Sequence, residues 1–172
     1  MVIGTFIMVA TYSLFYIMTA FAQAYSRTPA TLSEAGYPMG LGIPANTFTG
    51  LLLMSAIVFA IFISISGLYA DKIGRRKWLI WTTVSILIFA LCMPLFLGNG
   101  TPTSVFAFLV IGMALMGMTF GPMAALLPEL FPTEVRYSGA SLAYNIASII
   151  GATIAAMISL KINALYGLMG VG

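Results

Sequence analysis

The 172-residue sequence contains no histidine and only one cysteine, Cys92. A zinc or redox site therefore has almost no ligands from which to be built, and no disulfide can form within the chain. Cys92 lies inside an apolar run, where a thiol ordinarily serves packing. The sequence also offers no paired nucleophile and base that could form an active site. We therefore expect neither an enzyme nor a bound metal or cofactor.

Charged side chains are also scarce, because they make up 6% of the residues whereas 61% are hydrophobic. Soluble domains carry about 25% charged residues. The composition therefore predicts an integral membrane protein in contact with the lipid bilayer. The net charge of +3 could suggest nucleic-acid binding, but most of the cations lie in one short loop and do not form a basic face. We therefore expect no nucleic-acid partner.

Apolar helices of about 20 residues cross a bilayer, and helices are expected there because lipid offers the backbone polar groups no partner. Five segments have this length and composition: about 3–25, 47–70, 78–97, 104–127 and 138–160. A sixth span is expected to begin near Tyr166. The outer loop between the first two spans is predicted to be an ordered turn. Because the chain opens without a soluble leader and stops within apolar sequence, we expect it to be part of a longer protein.

Residues 71–77, Asp-Lys-Ile-Gly-Arg-Arg-Lys, form a charged turn that holds every charge between residues 36 and 128. A short, net-positive loop between two apolar segments is typical of a cytoplasmic turn between membrane spans. The polar loop 129–137 lies two spans further on, and therefore on the same side. Most cations belong to these two loops, whereas only Arg27 and Lys161 lie on the other side. The positive-inside rule therefore makes both loops cytoplasmic.

The order of residues in and before the charged turn resembles the loop signature of major facilitator transporters, which is more specific than a basic turn that only fixes topology. Gly74 permits a tight turn, and Asp71, at the end of its span, can pair with a guanidinium or face a helix N-terminus. Tyr69 departs from the signature, which usually has leucine there. The matching residues are Gly67, Asp71, Lys72, Gly74, Arg75 and Arg76.

A second motif, Pro-Glu-Leu-Phe-Pro-Thr-Glu-Val-Arg-Tyr-Ser-Gly-Ala-Ser-Leu-Ala-Tyr-Asn, occupies residues 128–145. It resembles the loop between helices 10 and 11 of the metabolite:proton symporter family of the major facilitator superfamily. Sugar porters share the Glu-Leu-Phe-Pro core and the arginine, but the continuation fits the symporters better. The resemblance covers nearly the whole chain as helices 7 to 11. It implies an all-α membrane protein with a partial C-terminal six-helix half of the major facilitator fold.

The resemblance also implies a gate. Facilitators use charge pairs at the cytoplasmic ends of these helices as a latch that closes the cytoplasmic side in the outward-facing state. We therefore expect Arg75 or Arg76 to approach Glu129, and Asp71 to find its partner in the missing N-terminal half. For Glu134, an exposed loop carboxylate is the favoured interpretation. The expected gating residues are Gly67, Asp71, Gly74, Arg75, Arg76, Glu129 and Arg136.

Small residues recur at every fourth position of the fifth span: Gly139, Ala143, Ala147, Gly151 and Ala155. Such a stripe lets two helices approach closely in lipid. We expect it to pack against another helix or towards the absent half, either as a sliding contact or as ordinary static packing.

Polar side chains inside spans are candidates for substrate binding, because their burial in lipid is costly. Tyr12 and Tyr16 share one helix face, and Tyr144 and Asn145 lie about two turns into the fifth span. Tyrosines also anchor helices at membrane interfaces. No acid or histidine lies within a predicted span, so a proton carrier is expected in the missing half or, less favoured, among the carboxylates at the cytoplasmic edge.

The function implied by the resemblance is proton-coupled import of a small polar metabolite (an organic acid, betaine or amino acid) by alternating access in the bacterial inner membrane. The partners would be the substrate, protons and the N-terminal half of the same transporter. One alternative is a sugar porter of the same superfamily. A non-transporting membrane scaffold is a second alternative, because helices and a basic loop would suffice for it.

Overall fold

The computed structural model describes residues 2–32, 36, 38–98 and 100–171, and within them it contains five long helices, one short α-helix and one turn of 3-10 helix at Thr133–Val135. Helix α1 is continuous and contains a π-helical turn at Ile17–Phe21, as does α5 at Ile154–Ile158. The bounds are α1 Val2–Tyr16, Ile17–Phe21 and Ala22–Arg27; α2 Ala45–Ile73; α3 Arg75–Leu97; α4 Pro102–Glu129; α5 Arg136–Thr153, Ile154–Ile158 and Ser159–Tyr166; and α6 Leu168–Val171.

Each predicted span lies inside one of the helices α1 to α5, and most of the helices extend a few residues further at both ends. The apolar run sets the part that can lie in lipid, whereas local chemistry sets the helix ends. Gly74, with φ +98°, ends α2, and the Thr101 side chain accepts a hydrogen bond from the Ser104 N–H at the start of α4. Among the described residues, α2, α3 and α4 are long and apolar enough to cross a membrane as uninterrupted helices.

The helices pack in two groups: α2 and α3 lie against α4, and α1 lies against α5. The larger core cluster fills the space between α1, α3 and α4, with Phe21, Leu97 and Phe108 fully buried. The outer faces of α2 and α3 are apolar and exposed; Trp81, for example, is 74% exposed. Exposed apolar surface of this extent suits a lipid-facing helix, since lipid imposes no penalty on it.

The small-residue stripe of α5 is buried along its whole length. It contacts α1 so closely that a methyl group at Gly151 would lie 2.7 Å from Cβ of Tyr12. The expectation that the stripe packs against another helix is therefore confirmed, and its partner is α1.

The outer loop between α1 and α2 is ordered in the part that the structure describes. The backbone N–H of Leu41 donates to the Tyr25 carbonyl at 3.2 Å, and that of Ile43 donates to the Ser26 carbonyl at 2.7 Å. Asn163 of α5 also donates from Nδ2 to the carbonyl of Pro38 at 3.1 Å. Residues 33–35 and 37 of this loop lie outside the described residues, as does Asn99 of the next outer loop.

Candidate functional site

The charged turn joins α2 to α3 through the single residue Gly74, whose φ of +98° is accessible to glycine and strained for other residues. Because the turn is so short, Asp71 in the last turn of α2 lies beside Arg75, the first residue of α3. The Arg75 Nε–H donates to Asp71 Oδ1 at 3.0 Å. Asp71 therefore has a partner within this chain, where the resemblance implied one in the missing half.

The same guanidinium reaches the end of α4. Arg75 Nη1 donates to Oε1 of Glu129 at 2.7 Å, which is the length of a charge-assisted hydrogen bond. The predicted contact between Arg75 and Glu129 is thus present. It also confirms that the charged turn and the loop 129–137 lie on the same side of the helix bundle.

All three charged groups remain accessible to solvent. The Arg75 side chain is 30% exposed, and the side chains of Asp71 and Glu129 are 64% and 56% exposed. An arginine is protonated at every physiological pH, so the bridge does not depend on titration of the cation. Exposed ion pairs contribute little net stability, because water screens them and the long side chains lose conformational freedom. The bridge can therefore be made and broken easily.

The remaining predicted gating residues have different surroundings. Neither Arg76 nor Arg136 forms an ion pair with a carboxylate in the described part of the chain. Arg136 instead donates from Nε to the carbonyl of Phe131 at 3.5 Å, within its own loop. Gly67 lies against α4, since a methyl group at Gly121 would come within 3.3 Å of the Gly67 nitrogen.

A cavity of about 580 Å³ lies beside the first turns of α5. Tyr144 and Asn145, both predicted to bind substrate, line this cavity together with Arg136. The Asn145 amide donates from Nδ2 to the carbonyl of Ser141 at 2.8 Å, so one of its two N–H bonds is held within the helix. The residues that border the cavity thus carry one guanidinium, one amide, two phenols and two aliphatic hydroxyls, a combination suited to a polar or anionic molecule.

The structure brings only some of the predicted substrate residues together. Tyr12 and Tyr144 pack against the same buried cluster between α1 and α5. Tyr16 packs edge-on against Phe15, with ring centroids 5.4 Å apart, and neither Tyr12 nor Tyr16 lines the cavity. Among the described residues, no group of three histidine, cysteine, aspartate or glutamate side chains could hold a metal ion.

Sequence reasoning did not find two polar contacts between the helices that carry the charged turn and α4. The Ser66 hydroxyl of α2 lies 3.0 Å from the carbonyl of Gly117, and the Trp78 indole Nε1 of α3 donates to the carbonyl of Met118 at 2.9 Å. The sequence did indicate that the Met118 carbonyl needs another donor, because Pro122 has no backbone N–H to donate to it within the helix. The identity of the replacement donor required the three-dimensional structure.

Residues 1–171 match the sequence profile of the Major Facilitator Superfamily. This chain belongs to that superfamily. It is 87% identical over its whole length to a Haemophilus influenzae protein provisionally named as a metabolite transport protein, of which it covers 39%. It is 53% identical to the Escherichia coli inner membrane metabolite transport protein YhjE, with 99% of the chain aligned to 38% of that protein. It is 35% identical to a Salmonella typhimurium proline/betaine transporter over 59% of the chain and 21% of the transporter.

The chain thus spans about two fifths of the length of the metabolite transport proteins that it matches. No solved structure matches it significantly. The family and the helices confirm two expectations: that the chain is an all-α part of the major facilitator fold, and that it is an integral inner-membrane protein. The expectation that the chain is not an enzyme is also confirmed, because its relatives are transport proteins.

Proposed function

We propose that this chain supplies helices 7 to 11 of a secondary active transporter, which imports a small polar metabolite together with protons by alternating access. The substrate class is an organic acid, a betaine or an amino acid. The names of the relatives support this class, since they include metabolite transport proteins and proline/betaine transporters. The chain matches about two fifths of its relatives, so we propose that an N-terminal half completes the transport pathway.

The observation that carries the proposal is the position of Arg75, which bridges Asp71 and Glu129. Its guanidinium ties the α2–α3 turn to the end of α4 at the side that the cation distribution assigns to the cytoplasm. A bond between two helix ends resists their separation. We propose that it acts as a latch, which is intact while the cytoplasmic side is closed and broken when the transporter opens inward.

For the substrate, we propose a path past the cavity bordered by Arg136, Tyr144 and Asn145. The guanidinium would attract a carboxylate, and the phenol and amide would accept or donate hydrogen bonds. The spans themselves contain no acidic side chain. We therefore propose that the proton carrier belongs to the N-terminal half.

The test is uptake by the full-length protein in energised membrane vesicles, with labelled proline, glycine betaine and a small organic acid as probes. We expect saturable uptake of one of them, abolished by a protonophore. Saturable uptake of a labelled sugar instead would identify a sugar porter. A scaffold would show no saturable uptake of any probe, and that result would refute transport.

A further inference from the structure

Helix α4 contains a proline, Pro122, well inside its length. Proline has no backbone N–H, and its ring crowds the carbonyl four residues earlier, a combination that generally kinks a helix. The affected carbonyl is that of Met118. A carbonyl without a donor in the apolar interior of a membrane protein is costly, so a replacement donor is needed.

The replacement donor comes from another helix. The Trp78 indole N–H, in the first turn of α3, donates to the Met118 carbonyl at 2.9 Å. The Ser66 hydroxyl of α2 lies 3.0 Å from the preceding carbonyl, that of Gly117, and also 3.0 Å from the Ile63 carbonyl of its own helix, so its one proton is shared between the two acceptors. Two successive carbonyls, about one helical turn before the proline, are therefore contacted by side chains from α2 and α3, the two helices that flank the charged turn.

The Trp78 ring is itself held in place. It stacks on Tyr69 of α2 with ring centroids 6.1 Å apart and an interplanar angle of 21°. The ammonium of Lys72 lies 5.9 Å from the centroid of the same tyrosine ring. Tyr69 is the position at which the sequence departs from the leucine of the family signature, so the departure supplies the surface on which Trp78 rests.

Trp78 and Arg75 lie one turn apart on α3, and both contact α4. Arg75 holds Glu129 at the end of α4, whereas Trp78 holds the carbonyl of Met118. The two contacts are separated by about 16 Å of helix. The segment from Met118 to Glu129, which contains Pro122, is therefore contacted at both ends by side chains from the first turn of α3.

We propose that Trp78 is a positioning residue of the transporter: its indole N–H replaces the donor that Pro122 lacks, fixes the bend of α4, and thereby directs Glu129 towards Arg75. The consequence for gating rests on the proposed function of the Arg75–Glu129 pair as a latch. The expected effect of Trp78 on the bend of α4 does not rest on that function, because it depends only on the hydrogen bond from the indole to the Met118 carbonyl.

The first experiment measures the bend in the full-length protein with spin labels at Ile111 and Leu130, one on each side of Pro122. Trp78→Phe keeps a ring that can stack on Tyr69 but removes the N–H, and it is expected to broaden the distance distribution. Pro122→Ala restores a backbone donor to the Met118 carbonyl, so the double variant is expected to match Pro122→Ala alone. Trp81→Phe is the control, because Trp81 is 74% exposed on the same helix.

The second experiment measures the latch through labelling, from the cytoplasmic side, of a cysteine placed at Ser141 in a cysteine-free background. Losing one hydrogen bond is expected to raise the labelling rate about fivefold in Trp78→Phe. Pro122→Ala combined with Trp78→Phe is expected to label within about twofold of Pro122→Ala alone. Trp81→Phe is expected to label as the parent does.

The spin-label distances test the positioning role of Trp78, whereas the cysteine labelling tests the latch, so the two hypotheses can fail separately. If Glu129→Gln leaves labelling unchanged, the latch fails, and the spin-label distances alone then decide whether Trp78 holds the bend. If Trp78→Phe leaves those distances unchanged, or if Pro122→Ala does not reverse its effect, Trp78 has no positioning role. An effect of Trp81→Phe equal to that of Trp78→Phe would likewise overturn the inference.

Discussion

Replacing Glu129 by glutamine is expected to shift the transporter towards its inward-facing state while leaving expression nearly unchanged. Glu129 is the last residue of α4 and its side chain is 56% exposed, so the amide fits in the same place without burying an unpaired group. The amide oxygen can still accept a hydrogen bond from Arg75. The substitution removes the charge attraction between Arg75 and residue 129, which is the shorter of the two ion pairs that Arg75 forms.

The size of the shift follows from the exposure of the pair. Contacts between solvent-exposed charges bias an equilibrium by no more than about fivefold. We therefore expect Glu129→Gln to change the ratio of inward- to outward-facing protein by about two- to fivefold. Salt above about 0.15 M screens exposed charges further, so the difference between parent and variant should become smaller as salt is raised.

The assay is the rate at which a membrane-impermeant maleimide labels a cysteine at Ser141 from the cytoplasmic side. Ser141 lines the cavity beside α5 but takes no part in the latch. Glu134→Gln is the matched control, because Glu134 is exposed in the same loop and forms no ion pair in the described part of the chain. Substrate uptake should fall in Glu129→Gln and stay at the parent rate in Glu134→Gln.

The reasoning is refuted if Glu129→Gln and Glu134→Gln label at equal rates. Glu129 would then be an ordinary loop carboxylate, and its contact with Arg75 would have no part in gating. A large loss of expression in Glu129→Gln would contradict the argument in a different way, because it would make the pair a structural element.

Three further outcomes are expected. Asp71→Asn should change cytoplasmic labelling less than Asp71→Ala does, because asparagine can still accept the Arg75 Nε–H and hold the guanidinium plane; equal effects would mean that charge alone matters. Gly74→Ala should destabilise the protein by about 1–2 kcal/mol through its positive φ, measured as a lower thermal unfolding temperature, whereas Gly50→Ala in a helix interior should not. Gly151→Val should separate α1 from α5 and cost about 1–3 kcal/mol, and normal stability of this variant would contradict the close packing.

Each of the five apolar segments picked out in the sequence lies inside one long helix, because lipid imposes a fixed length of apolar residues. The sequence also placed the charged turn and the loop 129–137 on one side, since charge is confined to the membrane surface. The contact between Arg75 and Glu129 followed from the family resemblance, which puts the ends of helices 9 and 10 together. None of these steps needed the details of side-chain packing.

The pairing of helices was harder to predict. The stripe from Gly139 to Ala155 indicated which face of α5 is buried, but a small-residue face is complementary to any close helix, so its partner α1 came from the structure. Tyr16 shares a helix face with Tyr12, yet Tyr16 packs on Phe15 whereas Tyr12 packs against the buried cluster that Tyr144 also contacts, and neither of them lines the cavity. Periodicity defines a face, whereas the neighbouring helix decides which part of that face is open.

The distribution of polar groups suggests how the two ends of the path could be linked. Charges are stable only at the wet edge, where the proposed latch lies, while the spans offer hydroxyls, phenols, amides and backbone carbonyls. An electrostatic signal from substrate to latch would need charges within the membrane, and the spans contain none. A mechanical link needs a helix that can change shape, and a proline inside a helix is a common site for a kink. The carbonyls of Gly117 and Met118 are the points at which α2 and α3 can hold or release α4. Substrate binding beside α5 could therefore act on the latch by changing the bend of α4, without moving any charge through lipid.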